Sequence, residues 1–222
     1  MINTLDDYIS RSIPEGCDFA TNPNLAKKVD RSGRMLPYKG NTVVFLLDDE
    51  IRRKLNTFQI SLYDAAPEML AESLESDTFH MTLHDLANGM PDQTGLDERM
   101  AAAEERARPM LAQWKHEAPI CMKATWLFNM VNTSIVLGLA PADEGGRQRL
   151  CEMYTRLESV APLGYALTPH ITMAYFKPGT YSSQQAGRLS AALKKVELDV
   201  TLHMENLVLQ NFTDMNNYYT IG

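Results

Sequence analysis

Two strand-like segments in this chain of 222 residues carry the same polar pair, and the two copies lie 90 residues apart. The segments read FHMTLH at 79–84 and PHITMAYF at 169–176. Because successive side chains of a β-strand point to opposite faces, His80 and Thr82 share one face of the first strand. His170 and Thr172 share one face of the second strand for the same reason. The repetition predicts a fold of two similar halves, each presenting a histidine and a threonine on one side.

The same alternation assigns the residues that flank the two pairs. His84 continues the polar face of the first strand, and Phe176 continues that of the second. We therefore predict that both side chains contact a ligand in a shared cleft, with Phe176 stacking on a base. Tyr175 falls in the opposite phase and is predicted to pack in the core.

Helical and strand-like patterns alternate along the rest of the chain. The β-branched, apolar run TVVFLL at 42–47 predicts a buried strand, and acidic residues then begin a helix at 50–66. Further helices are predicted at 95–117, 143–161 and 182–195, and further strands at 78–86, 120–130, 133–140, 169–176, 199–209 and 217–221. Residues 1–41 are predicted to form a short helix at 4–11 and then an extended arm.

These elements predict one two-lobed α+β domain that spans residues 1–222. Each lobe is expected to be an antiparallel sheet with helices outside. The two sheets are expected to face each other across a central cleft, which would hold the two His-x-Thr pairs.

Composition narrows the classes of function. The net charge of −7 comes without a basic stripe, so duplex nucleic acid is not an expected partner. No run approaches the roughly 18 apolar residues of a membrane span. The N-terminal segment MINTLDDYIS is acidic where a signal peptide is basic. We expect a cytoplasmic monomer without a membrane partner.

A metal site is not expected. The three cysteines have no C-x-x-C spacing. His80 and His84 would suit a zinc ion if their segment were a helix, but on a strand their Cα atoms lie about 13 Å apart. The flanks are strand-like, so neither a metal nor another cofactor is predicted.

The two motifs, HMTL at 80–83 and HITM at 170–173, resemble the paired His-x-Thr/Ser-x motifs of the 2H phosphoesterase superfamily. That superfamily includes LigT-like RNA cyclic phosphodiesterases and plant-type cyclic nucleotide phosphodiesterases. The segment LPYKGNT at 36–42 is also similar to a less-characterised subgroup. The resemblance implies a metal-independent hydrolase of a cyclic or small phosphodiester, such as a nucleotide or an RNA 2′,3′-cyclic phosphate, with a role in RNA processing. It implies these catalytic residues: His80, Thr82, His170 and Thr172.

The chemistry of phosphodiester cleavage explains these residue types. Water must lose a proton to a base while the leaving alkoxide gains one from an acid, and imidazole titrates near neutral pH. A threonine about 6.6 Å along the same face can donate a hydrogen bond to a phosphate oxygen. The sequence does not decide which histidine is the acid. Two alternatives stay open: ligation or another phosphoryl transfer on RNA ends, and a nucleotide-binding module without turnover.

Overall fold

The structure, a computed structural model, describes residue 13 and residues 16–221, and that part of the chain holds four α-helices and ten β-strands. The helix predicted at 4–11 lies outside the described residues. The helices are α1 Asp49–Ala65, α2 Leu96–Trp114, α3 Glu144–Glu158 and α4 Ser183–Ala192. The strands are β1 Phe19–Ala20, β2 Lys39–Leu46, β3 His80–Gly89, β4 Ile120–Met130, β5 Ser134–Pro141, β6 His170–Tyr175, β7 Thr180–Tyr181, β8 Asp199–Leu202, β9 Leu207–Asp214 and β10 Asn217–Thr220.

The helices begin where short-range chemistry favours a start. The first turn of α1 carries Asp49 and Glu50, whose carboxylates face the positive end of the helix dipole. A capping box begins α4, because Ser182 accepts a hydrogen bond from the backbone of Gln185 and the Gln185 side chain accepts one in return. No helix in the described part combines the length and the apolar character needed to cross a bilayer.

Eight strands form one curled antiparallel sheet in the order β10-β9-β2-β3-β6-β5-β4-β8. The predicted two-lobed α+β fold is confirmed, because four strands lie on each side of the β3–β6 junction. The two lobes nevertheless share a single sheet, joined where Met81 pairs with Ile171. The last two strands return to the first lobe and extend it beyond β2. The strands β1 and β7 pair separately as a small second sheet.

Each motif strand contains a β-bulge directly after its threonine. In β3, Val44 pairs with Thr82 while the adjacent Val43 pairs with His84, so Leu83 is an extra residue. In β6, Met173 is the extra residue between Thr172 and Ala174, which pair with adjacent positions of β5. Because one extra residue reverses the alternation, residues 84–86 in β3 and residues 174–176 at the end of β6 point to the face opposite to the one that the sequence pattern predicts. A second register shift, opposite residues 40–42, restores the original phase at Asn88, which lines the cleft.

Side chains stabilise the backbone groups that the bulges leave outside the regular ladder. The Gln59 amide on α1 donates to the carbonyl of the bulged Met173 and to the carbonyl of Leu74, both at 3.0 Å. In β3, the Thr42 hydroxyl donates to the carbonyl of His84 at 3.1 Å. A buried carbonyl without a partner would cost roughly 1–3 kcal/mol, so these contacts favour the bulged register.

The segment LPYKGNT enters the sheet as the start of β2, and its small and amide residues have packing roles. Asn41 is fully buried, donates to the carbonyl of Met100 and accepts from the amide of Ala87. The residue before it, Gly40, runs so close to its neighbours that a Cβ would lie 2.5 Å from the Phe212 ring.

This close approach predicts a stability effect. We expect Gly40→Ala to lower the free energy of unfolding by about 1–3 kcal/mol in chemical denaturation, because the added methyl group would also press on the carbonyl of Ala87. The matched control is Gly187→Ala, in an exposed part of α4 where the methyl group has open space. That control should raise the free energy of unfolding by about 1 kcal/mol. A Gly40→Ala protein as stable as the wild type would contradict the tight crossing.

Candidate active site

The β3–β6 junction forms the floor of a cleft of about 510 Å³. Its lining includes the four motif residues that the sequence singled out: His80, Thr82, His170 and Thr172. The volume lies within the usual range for small-molecule sites. The structure therefore brings the two halves of the sequence pattern to one place.

The strand register determines how the four side chains are arranged. In the antiparallel pairing that sets Met81 against Ile171, His80 lies beside Thr172 and Thr82 lies beside His170. The two histidines are thus diagonal neighbours, for which Cα atoms are typically about 7–8 Å apart. That spacing leaves room for a group of phosphate size between the imidazoles, with one threonine next to each of them.

Both imidazoles are held in the same way. Nδ1 of His80 lies 2.7 Å from the carbonyl oxygen of Thr78, and Nδ1 of His170 lies 2.6 Å from that of Thr168. A carbonyl oxygen only accepts, so Nδ1 is the protonated nitrogen in both rings. Within the described part of the chain, neither Nε2 atom has a hydrogen-bond partner. Each Nε2 is therefore the atom that can accept or deliver a proton at a ligand.

Enclosure by the cleft walls sets the charge state of the histidines. Both rings are half-buried, and burial is the main cause that lowers their pKa values, to about 4 for His80. The hydrogen bonds to the Thr78 and Thr168 carbonyls oppose this effect, as does the negative charge of Asp85. A positive charge on His170 lowers the pKa of His80 further. The pair consequently resists holding two protons at once.

His84 lies in the cleft wall with both ring nitrogens engaged, and its predicted contact with a ligand stays a prediction. Because of the bulge at Leu83, His84 is only 1% exposed, although it forms part of the cleft wall. Its Nε2 lies 3.0 Å from a Glu158 carboxylate oxygen, and its Nδ1 contacts the Asp85 carbonyl. Glu158 also accepts the amide of Leu163 in the loop that borders the cleft. His84 thus joins β3, α3 and this loop.

Phe176 lies outside the cleft, in contrast to its predicted place there. The bulge at Met173 turns Phe176 into the core, where it is 0% exposed and its ring centroid lies 5.0 Å from that of Phe19. It is therefore not placed to stack on a base. Tyr175, which the alternation assigned to the core, lines the cleft instead.

Several cleft residues escaped the sequence analysis: Lys28, Tyr38, Asp85, Tyr165, Tyr175 and Tyr218. Two of them, Asp85 and Tyr175, occupy the same position, five residues after the motif histidine. A longer repeat, Thr-x-His-x-Thr, was also present in the sequence, and its first threonine supplies the carbonyl that orients each histidine. Tyr218 reaches the site from β10, with its ring centroid 4.9 Å from that of His80. No local pattern indicated this last contact.

The described residues contain no group of three or more His, Cys, Asp or Glu side chains arranged to hold a metal ion. If their segment were helical, His80 and His84 could both be zinc ligands. The His84 ring is instead hydrogen-bonded to Glu158.

Comparison with known proteins identifies the fold. No protein-family model matches the sequence, and no curated protein matches it either. Among solved structures, ATU0111 of Agrobacterium tumefaciens strain C58, a conserved protein of unknown function, is 16% identical, with a TM-score of 0.62 over 91% of this chain and 93% of that one. Escherichia coli LigT in complex with ATP is 16% identical, with a TM-score of 0.51 over 84% and 96% of the two chains. A phosphoesterase is 15% identical, with a TM-score of 0.52 over 83% and 96%.

These likenesses give the chain the LigT-like phosphoesterase fold. The two motifs that resemble those of 2H phosphoesterases thus lie on a fold that this chain shares with LigT.

The lowered pKa values predict how stability depends on pH. A histidine with a pKa near 6.5 when unfolded and about 4 when folded stabilises the fold fully only above pH 6.5, and this contribution is lost as the pH falls towards 4. We expect His80→Gln to reduce the fall in the free energy of unfolding over that interval. The shift sets an upper bound of roughly 3 kcal/mol, which solvent screening of the half-buried ring reduces.

Chemical denaturation at a series of pH values measures this effect, with His116→Gln, at an exposed histidine, as the matched control. Equal pH dependence in wild type and His80→Gln would contradict the enclosed, neutral state of His80.

Proposed function

We propose that this protein hydrolyses a cyclic or small phosphodiester without a metal ion, by acid–base catalysis from His80 and His170. The observation that carries the proposal is the matched placement of the two rings: each is anchored through Nδ1 to the carbonyl two residues before it, and both line one cleft. A pair of oriented, titratable imidazoles on either side of a phosphate-sized space suits proton transfer in both directions. The fold shared with a phosphoesterase supports the same class of reaction.

The coupling of the two histidines restricts the pair to one proton. Because the charges of the two imidazoles disfavour each other, only one ring is charged, and we assign that charge to His170. His80 Nε2 then takes a proton from water as the water oxygen forms a bond to phosphorus. The bridging phosphorus–oxygen bond breaks, and His170 Nε2 gives its proton to the leaving oxygen. One water and one cyclic diester become one monoester, and an open diester also releases an alcohol. The proton that His80 has taken up then returns to His170 through solvent.

The two threonines serve the phosphate itself. Within the described residues, neither the Thr82 nor the Thr172 hydroxyl has a hydrogen-bond partner, and both residues line the cleft. Each hydroxyl can donate to a non-bridging oxygen, where negative charge builds up in the transition state. They hold the phosphate between the imidazoles so that attacking and leaving oxygens lie on opposite sides.

The size and rim of the cleft favour a substrate with an organic group as large as a nucleoside. At the rim, Val131 and Tyr165 are 58% and 60% exposed, so two large apolar side chains face solvent beside the phosphate site. Such surfaces commonly bind flat apolar groups. The structure of LigT in complex with ATP supports a nucleotide or an RNA terminus as the ligand class.

A panel of 2′,3′- and 3′,5′-cyclic nucleotides and RNA oligonucleotides ending in a 2′,3′-cyclic phosphate tests the substrate. We expect turnover to a monoester on at least one of them. Binding without turnover would favour the nucleotide-binding alternative, and joining of RNA ends would favour the ligase alternative.

The assigned roles predict different responses of two variants. On a verified cyclic substrate, His80→Ala and His170→Ala should each lower kcat by at least about 10²-fold, because each removes one proton transfer. On bis(p-nitrophenyl) phosphate, whose nitrophenolate leaves without protonation, His170→Ala should lose much less activity than His80→Ala. Steady-state kinetics on both esters measures the difference, with His116→Ala as the control. Full turnover by either motif variant would overturn the mechanism, and the reverse order on the nitrophenyl ester would exchange the two roles.

A second prediction concerns metal ions. Since two imidazoles supply the acid and the base, activity should survive dialysis against a chelator with kcat unchanged. The measurement is kcat before and after treatment, followed by addition of Mg²⁺, Mn²⁺ or Zn²⁺. Loss of activity that one of these ions restores would show that a metal takes part in the reaction.

A further inference from the structure

We infer that Asp85 is a positioning residue for the catalytic proton: its carboxylate keeps one proton on the His80–His170 pair and opposes the binding of doubly charged phosphate. The inference rests on the proposed function for its consequence in catalysis. The electrostatic effect of Asp85 on the two histidines is measurable in the protein without a substrate.

Asp85 reaches the cleft because of the bulge at Leu83. In both motif strands, the histidine, the threonine and the residue five positions after the histidine are half-buried and line the cleft. That third position is Asp85 in β3 and Tyr175 in β6. The two lobes therefore match at the histidine and the threonine and differ in charge at one place.

Within the described residues, no other negative charge in the cleft can replace that of Asp85. Among the described residues that line the cleft, Asp85 is the one acidic side chain, and Lys28 is the one lysine or arginine. Burial lowers the pKa of Lys28, and the Asp85 charge opposes that shift. Burial raises the pKa values of the cleft tyrosines on which the Asp85 charge acts, so they stay neutral: Tyr38, Tyr154, Tyr175 and Tyr218. The Glu158 carboxylate is hydrogen-bonded to His84.

The proposed mechanism needs the Asp85 carboxylate because burial alone disfavours the protonated imidazole. Burial drives both imidazoles towards the neutral form, and two neutral imidazoles cannot protonate a leaving oxygen. The negative charge of Asp85 acts in the opposite direction on both rings. By opposing the effect of burial, Asp85 increases the fraction of sites that hold a proton on the pair before the substrate arrives.

The Asp85 carboxylate also makes the site discriminate between substrate and product by their charge. A phosphodiester carries one negative charge, whereas the monoester product carries up to two near neutral pH. Repulsion by Asp85 grows with the ligand's charge, so it disfavours the product more than the substrate. Asp85 thereby favours product release, and the site is specific for singly charged diesters.

Histidine titration by NMR tests the electrostatic part in the protein without ligand. We expect Asp85→Asn to lower the pKa values of the His80 and His170 rings by about one pH unit. Asp85→Glu should largely preserve them because it keeps the charge. The matched control, Asp92→Asn, removes the same charge from an exposed residue that does not line the cleft, and should leave both titrations unchanged.

Unchanged titrations in Asp85→Asn would overturn the inference. Should that variant fail to fold, Asp85→Ser provides the same test, because it also removes the charge and leaves a smaller side chain. The pKa values of both rings should again fall, and unchanged values would overturn the inference.

Kinetics then separates this inference from the proposed function. For a verified diester, Asp85→Asn should lower kcat, move the alkaline limb of the kcat/KM profile to lower pH and strengthen inhibition by the monoester product about tenfold or more. Turnover with product inhibition unchanged by Asp85→Asn would overturn the inference and leave the proposed function standing. NMR shifts as expected in a protein that turns over no diester would support the electrostatic role of Asp85 and contradict the proposed function.

Discussion

The antiparallel contact between Met81 and Ile171 is the constraint on which the site depends. It is the point where two four-stranded halves become one curled sheet, and it pairs the middle residue of one motif with the middle residue of the other. Every functional side chain of the motifs is positioned relative to it, since His80 then lies beside Thr172 and Thr82 beside His170. A shift by one residue would place the two histidines on opposite faces.

The two bulges determine which further side chains line the cleft. By adding one residue after each threonine, they bury His84 and Phe176 and bring Asp85 and Tyr175 into the cleft. Gln59 binds the carbonyl of the bulged Met173, so a helix on the outside of the sheet stabilises the geometry of the cleft on its inside. Packing and the shape of the cleft are coupled here, because a substitution at Gln59 would act on the direction in which Tyr175 points.

Two opposing effects set the charge of the imidazoles: burial within the cleft walls and the few charged side chains that line the cleft. Walls that exclude water strengthen each interaction with a phosphate but disfavour the protonated imidazole that the chemistry requires. The two lobes meet this conflict unequally, because one contributes a carboxylate at the position where the other contributes a phenol. An almost symmetric site thus gains a polarity, which suits a reaction in which one histidine gives a proton and the other takes one.

The sequence by itself determined most of the helix and strand pattern, the two-lobed α+β class and the four motif residues of the cleft, because alternation over a few residues reports the face of a strand directly. It missed the short strands β1 and β7, and it predicted one strand at 199–209 where the chain turns between β8 and β9. It did not determine His84, Phe176, Asp85 or Tyr175, since a bulge is a feature of pairing between strands and leaves the local alternation unchanged. Nor did it indicate Tyr218, which reaches His80 from a strand 138 residues further along the chain. Only the tertiary structure brings β10 back to the first lobe, because strand order depends on burial across the whole sheet and not on neighbouring residues.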